Sequence, residues 1–284
     1  MDGGAVHTVY AYLDKGPMAP WSRWKPRKVC CTTDPNHGDA PGQEHVVKFQ
    51  QGQVGAAALV SEVVGTGLLV AGGVRVLEMR LVHASQAFAA SYATKLDVPY
   101  AVAAGLHFGT LLRTDVENGP PSAIAELAEP QEVIDLWAFD SWLCNTDRTV
   151  EGNILMTPAS MTTVRLIAAD HSDCFGGAGR FADGSWKKVL REQRAAQAVS
   201  FLDRAIFQAG GGGSLQDAIC KVRQGATQLT QVIAAVPDLW WQVAAIQPQE
   251  VIDELNARLR RIEDILGVKR WEGLADDIQG GRRL

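Results

Sequence analysis

The stretch Phe139-Asp-Ser-Trp-Leu-Cys-Asn-Thr-Asp-Arg-Thr-Val-Glu-Gly-Asn-Ile-Leu-Met156 runs from an apolar helical segment, through a polar loop carrying Asp147, Arg148 and Asn153, straight into an apolar strand. A second apolar strand follows in Leu166-Ile-Ala-Ala-Asp-His-Ser-Asp-Cys-Phe175 and ends at Asp170. Residues 153–156 and 163–169 read as two short strands joined by the turn Thr157-Pro-Ala-Ser160. Such a hairpin brings Asn153 and Asp170 back to one edge. Phosphoryl transfer from a nucleotide needs this layout, with one carboxylate to take the acceptor hydroxyl's proton and hard oxygens to hold magnesium against the phosphates. Asp147 is the expected base, with Asn153 and Asp170 as metal ligands. Any one of these Asx residues alone reads as a cap or turn former; the ordered set carries the reading. Arg148 fits either a phosphate contact or a salt bridge to Asp140 or Asp170.

Working outward, helices dominate downstream. Residues 130–143 carry Pro at a helix start and acids in the first turn. Residues 186–208, 215–236 and 249–266 read as three amphipathic helices, the first two linked by a flexible run from Gly210 to Ser214. Upstream the chain favours strands and turns. Residues 28–33 and 45–49 form the arms of a hairpin with a long tip, residues 56–69 form a helix loosened at its end by Gly65 and Gly67, and residues 74–82 suggest another strand. A β-rich front with one helix and a helical rear with one hairpin is an α+β arrangement of two lobes, divided near residue 115 into 1–115 and 116–284. Ligands favour the cleft between such lobes.

Two charges stand out in the front half. Lys48 lies in the apolar strand Val46-Val-Lys-Phe49, and Glu62 in the apolar helix Ala57-Ala-Leu-Val-Ser-Glu-Val-Val64. Buried charges are expensive without partners, and each can serve the other. A strand lysine held by a helix glutamate and reaching nucleotide phosphates is the protein-kinase arrangement.

The 284 residues include 27 Lys+Arg against 32 Asp+Glu, a formal charge of -5, which argues against a general nucleic-acid or anionic-membrane binder. Glu62 and five glycines within residues 55–74 argue against a membrane span there. Five scattered cysteines and the absence of a basic-then-apolar leader in the first residues point to the cytoplasm. Adjacent Cys30 and Cys31 with His37 make a poor zinc site. The tryptophans read as core or lobe-interface residues. The oligomeric state stays open.

The blocks Val46–Phe49, Leu59–Val63, Gly105–Gly109, Asp140–Arg148 with Gly152–Leu155, and Ala169–His171 together resemble the HipA-like kinases, in that family's order from about residue 46 to residue 175. The resemblance implies a bilobal protein-kinase-like fold and an ATP- and magnesium-dependent kinase acting on a hydroxyl, foremost protein Ser/Thr. It implies Lys48 on the phosphates, Glu62 positioning it, Asp147 as base, and Asn153 and Asp170 on metal. In related kinases the base and the metal-binding Asn stand one residue closer than Asp147 and Asn153 do, an excess that Gly152 could absorb, and Thr149-Val150 lacks a histidine often found there. No G-x-G-x-x-G precedes Lys48. A short Gly/Ser/Pro segment does that work in the family, so residues 15–22, with Gly16 and Ser22, are the expected phosphate cover. Asp173 is a candidate second ligand, and residues 105–109 read either as a turn with Phe108 in the core or as a wall of the nucleotide cleft. A small-molecule or lipid kinase of the same fold, and a pseudokinase-like nucleotide-binding regulatory module, are the alternatives.

Overall fold

A computed structural model of the chain describes residues 7–18, 26–35, 42–92, 102–118, 124, 127–148, 153–192 and 212–268. Ser22, Thr149, Val150, Gly152, His37 and residues 193–208 of the expected rear helix lie outside these described residues.

The front half forms a closed five-stranded barrel of β1 (Thr8–Pro17), β2 (Arg27–Thr32), β3 (Gln43–Lys48), β4 (Met79–Ala84) and β5 (Gly105–Leu111), in the order β1-β2-β3-β5-β4. The hairpin expected from residues 28–49 is the antiparallel pair β2–β3. Alternate residues point inward, as a strand's period of two requires: Val9 and Ala11, Val29 and Cys31, Val82 and Ala84 fill the barrel. Helix α2 (Gln86–Tyr92) adds Phe88 and Tyr92 to this core, and Tyr92 meets Phe49 edge-on at 5.3 Å.

Several expectations are corrected here. Among its described residues the front half holds two helices, α1 (Gly52–Ala71) and α2, and residues 105–109 belong to a barrel strand and not to a turn, although Phe108 is indeed core. The strand expected at 74–82 begins only at Met79; Val76 makes an isolated bridge to Ala168. Gly65 and Gly67 do not loosen α1, which runs on to Ala71. A Cβ at Gly65 would lie 2.7 Å from the His171 Cβ, and one at Gly67 would lie 2.8 Å from Val232, so these glycines are places of close approach.

Downstream come β6 (Glu117–Asn118), α3 (Pro130–Leu143), β7 (Ile154–Pro158) and β8 (Val164–Ala168), with β6, β7 and β8 in one sheet. Helices α4 (Ala178–Asp183), α5 (Trp186–Glu192), α6 (Gly212–Ala226), α7 (Leu229–Ala234), α8 (Asp238–Ala244), α9 (Pro248–Leu259) and α10 (Ile262–Leu266) follow. Two long amphipathic runs are therefore each broken into two helices. The glycine run is only partly a connector, because α6 already starts at Gly212.

Helix α1 is apolar on all sides and sits inside the larger core with the rear helices, as such a helix must. It is long and apolar enough to cross a membrane, yet 78% of its most apolar window is buried within the fold. Trp240 on α8 donates its indole N–H to the Leu106 carbonyl of β5 at 3.1 Å, and Trp142 on α3 donates to Leu255 at 3.0 Å. The tryptophans thus join barrel to helices and helix to helix.

His107 on β5 is buried and neutral: its Nδ1 accepts the Gln50 N–H at 3.0 Å, and its Nε2 donates to the Ala103 carbonyl at 2.9 Å. Burial lowers its pKa from 6.5 to about 4. Protons then favour the unfolded chain, so this contribution to stability is complete above pH 6.5 and is lost as pH falls towards 4, by about 3 kcal/mol in all. Chemical denaturation across that range should show a steeper decline for the native chain than for His107→Asn; parallel declines would refute the assignment. At Gly65, alanine should lower stability by about 1–3 kcal/mol despite its better helix propensity, because the neighbour at 2.7 Å is fixed backbone-proximal carbon. A raised Tm for Gly65→Ala would contradict this packing.

Candidate active site

Three elements meet at the rim of the barrel. Lys48 ends β3, Glu62 lies in the middle of α1, and Asp170 stands just beyond β8. The Lys48 Nζ is 2.5 Å from Glu62 Oε1 and 2.7 Å from Asp170 Oδ1. The second Glu62 oxygen accepts the His171 backbone N–H at 2.9 Å. One carboxylate, 1% exposed, therefore ties α1 both to the barrel and to the segment after β8.

Burial opposes the Lys48 charge, but Asp170 and Glu62 outweigh it and hold the ammonium above the ordinary lysine range. Burial pushes the Glu62 carboxyl up to about 7, against the opposing pull of Lys48 and the His171 N–H. Burial also acts on Asp170, yet Lys48 and the Ser172 donors prevail and keep its carboxyl well below the usual range. Asp170 Oδ1 takes the Ser172 hydroxyl at 2.6 Å and its N–H at 3.2 Å. Among the described residues Oδ2 has no partner, and the side chain is 26% exposed.

The polar loop hangs from Asp140, buried on α3. Arg148 grips that carboxylate with two nitrogens, Nε at 2.8 Å and Nη2 at 3.1 Å, and Asn145 donates to it at 3.0 Å. The third guanidinium nitrogen of Arg148 donates to the carbonyls of Asn153 at 2.6 Å and Ala169 at 2.5 Å. Arg148 thus braces the chain at both candidate metal ligands, and of its two expected roles the structure displays the salt bridge to Asp140. Asn145 Oδ1 accepts the Asp147 N–H at 3.1 Å. The Asn153 amide donates to the Asp147 carbonyl at 2.6 Å and to its carboxylate at 3.4 Å. The wider spacing between Asp147 and Asn153 does not separate them, and among the described residues the side-chain oxygen of Asn153, Oδ1, accepts no hydrogen bond.

Backbone strain gathers at this point. Cys144 closes α3 at φ 56°, Asp170 has φ 54° and Phe175 has φ 60°, three of the four non-glycine residues with positive φ among those described. Left-handed geometry is costly for such residues and persists where surroundings enforce it. Thr66 on α1 shares a hydrogen bond of 3.1 Å with His171 Nδ1, which seats the loop against the helix where Gly65 makes room.

Gly16 has φ 110° near the end of β1 and pairs with Lys28, while Pro17 pairs with Arg27 and Arg27 with Val47. The Gly16–Pro17 end of β1 therefore lies at the same end of the barrel as Lys48. The structure brings Lys48, Glu62, Asp170, Asp147, Asn153 and Arg148 into one connected region, with Gly16 on its barrel side. Asp173 is half-buried beside it, its carbonyl accepting the Thr146 N–H at 3.2 Å. Asn145, Ser172 and Thr66 escaped the sequence reading, since short polar residues beside a loop carry no periodic signal. No group of three or more His, Cys, Asp or Glu suited to a metal occurs among the described residues. Magnesium ordinarily needs less from protein, because substrate phosphates and water complete its shell.

No curated protein sequence matches the chain. Among solved structures, a Helicobacter pylori proinflammatory kinase, CtkA, superposes with a TM-score of 0.57 at 12% identity, over 95% of this chain and 98% of that one. At that identity the likeness is one of fold, and the fold is kinase-like. A family model described as HipA-like kinase matches residues 31–271, a span holding the whole lysine, glutamate, Asp147 and Asp170 constellation. With that match over most of its length, the chain belongs to the HipA-like kinase family.

Proposed function

We propose that this protein transfers the γ-phosphate of ATP, in the presence of magnesium, to a serine or threonine hydroxyl of a protein. The observation that carries the proposal is the convergence of Lys48, Glu62 and Asp170 in one buried network, with Asn153 set against Asp147.

Asp170 and Asn153 would hold the metal, because each has a hard oxygen left unused by its own hydrogen bonds. Bound magnesium supplies charge neutralisation for the phosphates. Lys48 offers a second positive charge to them, and Glu62 fixes where that charge stands. Asp147 is the base that takes the acceptor proton, with its backbone held by Asn145 and Asn153 so that the carboxylate has a defined position. Arg148 acts through others as a positioning residue, since its donors are engaged with Asp140 and two carbonyls. Residues 15–22, with Gly16 and Ser22, cover the phosphates in this reading. The barrel and helical portions form the two sides of the nucleotide cleft, and the setting is cytoplasmic.

Replacing Asp170 by Asn should remove magnesium-dependent phosphoryl transfer from labelled ATP while leaving the thermal transition in place. Retained turnover would sink the metal role. Asp147→Asn should lower kcat by about 10²–10⁴-fold with nucleotide affinity little changed, the pattern of a lost general base. Offering labelled ATP together with protein, lipid and small-metabolite pools assigns the acceptor. Label confined to lipid or metabolites would replace the protein substrate, and nucleotide binding without any turnover would mark a regulatory module.

A further inference from the structure

We propose that a cavity outside the Lys48–Asp170 site binds a small organic anion: a phosphate or carboxylate carried on a compact apolar body. The cavity, of about 480 Å³, opens between the turn after α1, the start of α3, strand β8 and α6. Its volume falls in the range of small-molecule sites, roughly 300–1,000 Å³. None of the residues lining it belongs to the candidate active site.

The cavity wall sorts its charges by depth. Glu132 and Asp135 lie inward, with side chains 17% and 5% exposed. Arg75, Arg165 and Lys221 face outward, at 50%, 43% and 38%. Both acids are already committed: Glu132 to Arg75, Arg165 and the Leu166 N–H, and Asp135 to Gln131 and Lys221. The cations are not used up. An arginine has five N–H donors, and among the described residues Arg165 spends one on Glu132 with its side chain. What an incoming molecule meets is therefore positive charge with open donors, set over apolar Val74, Leu136, Leu166 and Ala168.

This combination selects for an oxyanion with a hydrophobic body. Arginine matches phosphate and carboxylate oxygens with paired donors, and a cleft whose accessible charges are mostly of one sign concentrates counter-charge. Residues at the start of α3, Glu129, Gln131 and Glu132, line the cavity, and the helix makes no side-chain cap hydrogen bond there, so its positive end adds to the same field. Glu129 is the exposed acid on the rim, so it works against such a ligand.

The test is calorimetric titration of the full chain with phenyl phosphate and, separately, with benzoate, both with a non-hydrolysable ATP analogue and magnesium at saturation to occupy the other site. Binding should persist under these conditions, and Arg165→Gln should weaken it by about tenfold or more. Glu129→Gln, a change at an exposed position, should strengthen it two- to threefold. Tighter binding of phenyl phosphate than benzoate would identify a phosphate ligand, and the reverse a carboxylate. Equal binding of benzyl alcohol, displacement by the ATP analogue, or indifference to both substitutions would overturn the proposal.

Discussion

A single buried carboxylate organises this protein. Glu62 sits in a helix apolar on every side, where an unpartnered charge would be excluded from the fold. Its two oxygens have different owners: one holds the Lys48 ammonium from the barrel, and the other holds the His171 N–H from the segment after β8. The helix can be buried only when both partners arrive. Barrel, central helix and rear hairpin are thereby locked into one arrangement, and the locking contact is the one that places Lys48 and Asp170 2.7 Å apart.

A second anchor of the same kind supports the other half of the site. Asp140 and Arg148 are both nearly inaccessible, and their pairing is bidentate, so the desolvation cost of burying them is offset by close geometry and by the two carbonyls that take the remaining donors. Those carbonyls belong to Asn153 and to the residue before Asp170. Positive-φ backbone at Cys144, Asp170 and Phe175 is tolerated next to these anchors and concentrated nowhere else among the described residues to the same degree. The buried charges Lys48, Glu62, Asp140 and Arg148 each lie against an opposite charge.

Much of this was legible in the chain, for identifiable reasons. Helix α3 begins at the residue where Pro130 puts it, and residues 153–169 form the expected hairpin because strong patterns and turn chemistry agree there. Lys48 and Glu62 were conspicuous because charge inside an apolar run demands a partner. The barrel was less legible. Strand β1 lies parallel to β4, a pairing between distant segments that leaves no local trace, and Gly105 and Gly109 allow a turn reading although both lie in strand β5, where a Cβ at Gly109 would come within 2.6 Å of Val82. Likewise Gly65 and Gly67 look like helix breakers from propensity alone; their role depends on what packs against them, which is tertiary information. The rear helices followed their amphipathic pattern but hid their breaks, since the pattern continues across a kink.

The charge distribution gives the net charge of -5 a physical meaning. Around the proposed phosphate site, Lys48 faces two carboxylates, Arg148 is neutralised by Asp140, and Asp147 adds a further negative charge. Taken alone, that set would repel a bare nucleotide polyanion. In the function proposed here, the nucleotide must bring its own compensating charge, and the unused oxygens of Asp170 and Asn153 are suited to a hard divalent cation. The cavity proposed as an anion site follows the opposite rule: apart from Glu129 on the rim, its acids are turned inward and its bases outward, so the side chains themselves would meet the anion. As proposed, the two sites of one acidic chain would differ in whether a metal or the side chains supply the positive charge.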